Sequence, residues 1–332
     1  MSEKQNLEKQ VKILVKQRKI CFAMAGLLVL FLIVFLGWYF FIHSTTDKAI
    51  RTQSSKYSML DWSVGQIERQ NLITNIDPIR QYLEEMEEKN KKDYNISVYF
   101  EYLHTGANIV INKDMQIWPA SLTKLPLAIV VMKKVQDGVW NLNDELVLLQ
   151  EDLDYKSGDL YTSNSIGTRF TVEQLLQKLL IDSDNTAYKI LYRNVTENDY
   201  RQLISETGLG QLFSSEGKIS PKEYSRILRI LFYSTFLDPQ KSQEILELLS
   251  RSTFKEFLNL GLPEGVKFAH KYGENLDYGV FSDFGIVYVQ NRPYIISVAV
   301  EAKDKDRKEN IEEASKLMSE ISKYVYDYIK NY

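Results

Sequence analysis

The sequence predicts an α+β domain held behind an apolar anchor, and three observations carry that expectation. Strand-like alternation occurs early and late in the outer part of the chain. Helical i, i+3, i+4 spacing fills the part between. Residues 20–42 form a run with no charged side chain. Strands at both ends with helices between imply one sheet gathered from both ends, with the helices on its faces or in a second lobe.

The run comes first. At about 1.5 Å of rise per residue, residues 20–42 cover a hydrocarbon core of about 30 Å. The competing reading, a cleaved signal peptide, has a shorter apolar region that ends in small residues. Here the run ends in Trp38-Tyr39-Phe40-Phe41, an interfacial aromatic belt. Residues 1–19 hold Lys4, Lys9, Lys12, Lys16, Arg18 and Lys19 against Glu3 and Glu8. The excess of cations keeps that end cytoplasmic, so the protein is expected in the cell membrane as a single pass with everything beyond residue 42 outside. The expected organisation is a cytoplasmic tail (1–19), an anchor (20–42), a polar stalk (43–75) and a folded outer domain (76–332).

Within that domain, Ile79, Tyr82, Leu83 and Met86 after Asp77-Pro78 predict a helix. Ile96, Val98, Phe100 and Tyr102 alternate as a strand, His104 to Asn108 turns, and Ile109 to Ile111 returns. Helices are expected over 122–135, 171–181, 197–207, 221–232 and 239–249. Strands follow over 266–271, 284–289 and 294–300, and an amphipathic helix closes the chain over 311–329.

Composition removes several functions. The overall charge of −3 offers no basic face to nucleic acid. One cysteine, Cys21 at the start of the apolar run, excludes a disulfide framework and a cysteine zinc site. Three scattered histidines lack metal-ligand spacing, so no metal or other cofactor is expected. Asp152-Leu-Asp154 with Gly158 is a poor calcium loop, with the glycine one place off and no closing glutamate. A Ser-His-Asp esterase would need His104 or His270. The latter precedes Lys271 on a strand and so faces away from it.

Three short motifs remain: Ser121-Leu-Thr-Lys124, Ser183-Asp184-Asn185 and Lys271-Tyr272-Gly273. A serine hydroxyl needs a base in hydrogen-bond reach. Three residues apart on a helix, Ser121 and Lys124 share a face. A lysine is a base near neutrality only where burial and a second cation lower its pKa. The apolar flank of Leu122, Leu125, Leu127 and Ile129 offers the burial, and Lys271 the second charge. Each motif alone is weak. The S-x-x-K pattern recurs at Ser215 to Lys218 and at Ser252 to Lys255, and Lys156-Ser157-Gly158 is a better local match to the third motif. Only Ser121 and Lys271 stand in the right order around Ser183, on the expected elements.

Together the motifs resemble the S-x-x-K, S-D-N and K-T-G set of class A β-lactamases and penicillin-binding proteins. The resemblance covers the chain from about Ile76. It implies an α/β sandwich, with a five-stranded antiparallel sheet, a helical lobe and the site between them. By that likeness Ser121 is the nucleophile, Lys124 accepts its proton and Ser183 relays a proton to the leaving nitrogen. Asn185 binds a substrate amide and Lys271 a substrate carboxylate. Gly273 allows close approach, and the backbone N–H groups of Ser121 and Glu274 form the oxyanion hole. The implied substrates are D-alanyl amide or ester bonds of peptidoglycan or teichoic acid, or β-lactams.

Two positions depart from the family. Tyr272 stands where a small hydroxyl residue is usual. The loop between Gly208 and Ser220 is short, and its sole carboxylate, Glu216, lacks the usual flanks of a deacylating base. Slow β-lactam turnover is the expectation. The other reading is a catalytically degenerate binding or regulatory protein of the cell envelope.

Overall fold

The computed structural model describes Arg18, Phe22 and residues 24–39, 67–213 and 217–332. The chain divides into two units, 1–69 and 70–332. In the first, residues 24–39 form helix α1 with exposed apolar side chains. Among the described residues no helix is long and apolar enough to cross a membrane. Both ends of the expected 20–42 span, and the stalk up to residue 66, lie outside the described residues.

The second unit is built on a five-stranded antiparallel sheet in the order β2-β1-β7-β6-β5. The strands are β1 (Tyr94–Tyr102), β2 (Ala107–Ile111), β5 (Lys267–Asn275), β6 (Val280–Tyr288) and β7 (Tyr294–Ala302). Early and late segments meet at the centre, where β1 pairs with β7 from Tyr94↔Ala302 to Tyr102↔Tyr294. Strands β5 and β6 run further toward each other than their apolar patterns suggest. The extension, Tyr272 to Asn275 paired with Val280 to Asp283, mixes polar residues with the buried Val280 and Phe281 and is held by register with its neighbour.

Each sheet face carries its own core. On one, Ile96, Val98, Phe100 and Val300 pack with α2 (Asp77–Asn90) and α10 (Asn310–Asn331). On the other, Tyr99, Ala269, Phe284 and Ile295 meet the helical lobe. The lobe surrounds α3 (Lys124–Gln136), whose residues from Lys124 to Met132 are all buried. A helix apolar all round belongs in an interior, and α5 (Val172–Ile181), α6 (Asn185–Arg193), α7 (Glu197–Thr207), α8 (Pro221–Phe232) and α9 (Pro239–Ser250) complete the lobe. Helix starts follow their capping chemistry: Thr171 with Gln174 at α5, and Ser220 with Glu223 at α8. A short helix α4 (Leu160–Ser163) and a small sheet of β3 (Glu145–Val147) and β4 (Arg169–Thr171) add to the lobe. Those strands are too short to show alternation in the sequence.

Candidate active site

The nucleophile candidate sits where a 3₁₀ turn, Ala120–Thr123, runs into α3. Tyr224, buried on α8, donates its hydroxyl to Leu122 O at 2.8 Å and fixes that turn. Pro126 falls in the first turn of α3, where the missing N–H has no helical partner to lose. Ser121 is half-buried and so reachable, while Lys124 is 2% exposed.

The second motif arrives on the link from α5 to α6. Ser183 holds a positive φ of 55°, and its side chain is enclosed. Such a backbone costs on the order of 1–3 kcal/mol in a residue with a Cβ. Asp184 offsets that strain. Its carboxylate caps α6 by accepting from Ala187 N at 2.8 Å, and it accepts from Asp159 N at 2.8 Å and Leu160 N at 3.0 Å.

The third motif lies on β5, the edge strand nearest the Ser121 turn. A Cβ on Gly273 would stand 2.8 Å from Pro119 O and 3.2 Å from Leu122 Cγ, so only glycine lets strand and turn approach this closely.

Four side chains form one hydrogen-bonded line. Lys124 Nζ is 3.0 Å from Ser121 Oγ and 3.0 Å from Ser183 Oγ. Lys271 Nζ is 2.9 Å from Ser183 Oγ on its other side. Lys124 also donates to Ser183 O at 2.5 Å and Asn185 Oδ1 at 2.6 Å. The orientation of that amide is fixed, because Asn185 Nδ2 donates to Asp154 Oδ1 at 3.0 Å and a carboxylate only accepts. A neutral amine has two N–H groups and one lone pair. The carbonyl of Ser183 and the amide oxygen of Asn185 take the two N–H groups, which leaves the lone pair for a hydroxyl.

The electrostatics favour that neutral amine. Burial pushes Lys124 down to about 8, against the opposing pull of Asp184 and Asp154. Lys271 is driven well below its ordinary value, first by burial and then by the Lys124 ammonium. Two cations sharing one buried hydroxyl disfavour each other's charge. The arrangement therefore supplies a serine with an adjacent proton acceptor and a second hydroxyl placed to pass a proton onward.

Of the residues singled out in the sequence, Ser121, Lys124, Ser183, Asn185 and Lys271 converge, with Gly273 against their turn. Tyr272 turns toward Lys271. Its ring covers Lys271 Nζ, 4.1 Å from the centroid. Glu274 is half-buried beside it, and burial raises its carboxyl above the usual range. Glu216 lies outside the described residues. His270 is enclosed on β5 with Nδ1 2.7 Å from Asp283 Oδ1 and its ring stacked on Phe268. That is the sheet face opposite the one Lys271 serves.

Two positioning elements escaped the sequence reading. Asp154, weighed only as part of a calcium loop, orients Asn185 and pairs with Lys189 at 3.1 Å. Its companion Asp152 pairs with Arg193 at 2.8 Å. The segment Lys156-Ser157-Gly158, a decoy by pattern, forms a wall of the site. Ser157 Oγ donates to Ser183 O at 2.9 Å, and Ser157 O accepts from Asn185 N at 3.0 Å.

The class this fold and cleft define is that of serine hydrolases of the β-lactamase and penicillin-binding type. Residues 78–329 match the beta-lactamase enzyme family, and the chain belongs to it. Among solved structures it is similar to that of PBP-A, with 22% identity, 77% of this chain and 97% of that chain covered, and a TM-score of 0.67. A leucine-to-glutamate variant of PBP-A, in acyl-enzyme complex with penicillin G, is 21% identical over 77% of this chain and 98% of that one, with a TM-score of 0.67. A β-lactamase from Sphaerobacter thermophilus is 20% identical over 77% of this chain and 99% of that one, with a TM-score of 0.65. At these identities the likeness is one of fold. No curated protein matches the chain.

Proposed function

We propose that this protein is a membrane-anchored, extracytoplasmic acyl enzyme that cleaves D-alanyl amide or ester bonds of cell-wall polymers, and β-lactams slowly, through acyl-Ser121. The observation that carries the reading is the unbroken line Ser121–Lys124–Ser183–Lys271. Lys124 accepts the Ser121 proton as Oγ attacks the acyl carbon, and the N–H groups of Ser121 and Glu274 receive the developing oxyanion. Collapse breaks the bond to the leaving group, whose proton comes from Lys124 by way of Ser183. Water or an acceptor amine then releases the acyl group. The acyl-enzyme of the PBP-A variant with penicillin G supports β-lactams as reactants. The charge-free run of residues 20–42 behind a cationic tail supports the anchor, with 43–75 as stalk and 76–332 as catalytic domain.

Full-length protein mixed with benzylpenicillin should gain the mass of one intact penicillin on the peptide that holds Ser121, and the adduct should persist. Rapid loss of the adduct would instead mark a β-lactamase and return attention to Glu216. No adduct, together with no Ser121-dependent hydrolysis of any D-alanyl ester, would leave the binding or regulatory reading that Tyr272 favours.

The pH dependence of acylation follows from Lys124. The reactive form is the neutral amine, so below its pKa of about 8 the rate should rise about tenfold per pH unit and level off above it. Stopped-flow acylation rates between pH 6 and 9.5 check this. A flat profile would exclude Lys124 as the proton acceptor.

A further inference from the structure

Beyond Ser183 the cleft ends in an aromatic wall. Tyr272 stacks on Phe254 with centroids 3.6 Å apart and planes 9° from parallel. Phe254 meets Phe257 edge-on at 5.0 Å, so the wall is braced from behind. Lys271 is 1% exposed. Its amine nitrogen lies 2.9 Å from Ser183 Oγ and 3.1 Å from Tyr272 O, and its remaining side faces the Tyr272 ring, 4.1 Å from the centroid. An incoming anion finds no vacant donor there. Several carboxylates also bear on the wall, with Lys271 as the cation among them. Glu274, Asp283 and Asp182 all act on the Tyr272 phenol, and Glu256 acts on Glu274.

We propose that Tyr272 sets the leaving-group specificity of this site, which favours acyl donors whose leaving group carries no carboxylate over those, penicillins among them, whose leaving group carries one. The inference rests on the acyl-Ser121 reading and names its substrate class. The leaving group departs past Ser183, so it emerges against the Tyr272 ring and the carboxylates around it. An uncharged amide or ester terminus packs on a ring face. A carboxylate would have to displace the ring from Lys271 or lie beside Glu274.

The test uses full-length protein and two thioesters of N-benzoyl-D-alanine, one releasing mercaptoacetate and the other mercaptoacetamide. The acyl half is shared, so the ratio of kcat/KM for thiol release reports the leaving group alone. The wild type should favour the amide by on the order of tenfold or more, the effect of one charge-assisted hydrogen bond gained or lost. Tyr272→Thr should reverse the preference, chiefly by lowering KM for the mercaptoacetate donor, and Tyr272→Phe should keep the wild-type ratio. A change confined to packing would move both donors together. A wild-type preference for mercaptoacetate overturns the proposal, as does a ratio unchanged in a folded Tyr272→Thr variant. If that variant does not fold, the wild-type ratio decides. If neither thioester is cleaved faster than by Ser121→Ala, the acyl-enzyme reading itself falls and takes this inference with it.

Discussion

Lys124→Met should lower the rate of Ser121 acylation by about a thousandfold or more while the fold persists. A positioned general base contributes about 10²–10⁴-fold, and a thousandfold is the middle of that range. Groups that act as a unit lose more than one part's share when one is removed. The geometry puts Lys124 in that position, since its Nζ touches the hydroxyls of Ser121 and Ser183 at 3.0 Å each. Methionine keeps the length and apolar character of a side chain that is already enclosed, so the lobe should stay packed. The substitution strands the carbonyl of Ser183 and the amide oxygen of Asn185, at a cost of about 1–3 kcal/mol for each buried group left unpaired. Acylation by a fluorescent penicillin, read beside a thermal melt, separates the two effects. A variant that melts near the wild type and still acylates at more than a tenth of its rate would remove Lys124 from the chemistry.

Asp184→Ala should lower stability by roughly 3–5 kcal/mol, since two buried N–H groups, of Leu160 and Ala187, and the part-buried N–H of Asp159 lose a charged acceptor, at about 1–3 kcal/mol for each buried group. For a domain of this size the fall in Tm is on the order of 10 °C. Gly158→Ala should act through the same joint from the other side. A Cβ at residue 158 would lie 1.9 Å from Asp184 Oδ2 and 2.6 Å from Asp184 Cα, at a φ of +89° that alanine resists. The backbone contact leaves no flexible side chain to yield. Both variants should also slow acylation, because Asp184 stands between Ser183 and Asn185. A melt within about 2 °C of the wild type for either one would show that the joint between the 154–160 segment and α6 contributes little.

These two joints show what kind of information the chain makes readable. The Ser121–Lys124 pair was legible because a helix fixes the geometry of i and i+3 without help from elsewhere. The helices expected over 171–181 and 221–232 were legible from their apolar spacing, and the caps at Thr171 and Ser220 that start them are equally local, each lying three residues from its partner. The order of the three motifs pointed to their convergence, and the structure joins Ser121, Lys124, Ser183, Asn185 and Lys271 in one hydrogen-bonded network that runs through Lys124 and Ser183. Asp154 stayed hidden because its partners, Asn185 and Lys189, are more than thirty residues away and its neighbours suggested only a poor metal loop. The Lys156-Ser157-Gly158 segment matched the third motif by pattern and serves instead as a wall beside Ser183. The strands expected to end at 271 and to begin at 284 are extended by pairing across the hairpin, which local alternation does not show.

The sequence alone determined the α+β class, the charge-free run near the N-terminus, and the serine–lysine pair on one helix face. Those rest on local periodicity and on side chains adjacent along the chain. Tertiary structure decided which of the recurring motifs share a cleft, which carboxylate orients Asn185, and that Tyr272 lies over Lys271 rather than away from it. These are contacts between segments far apart in the chain, set by how the sheet edge packs against the lobe, and local pattern carries no record of them.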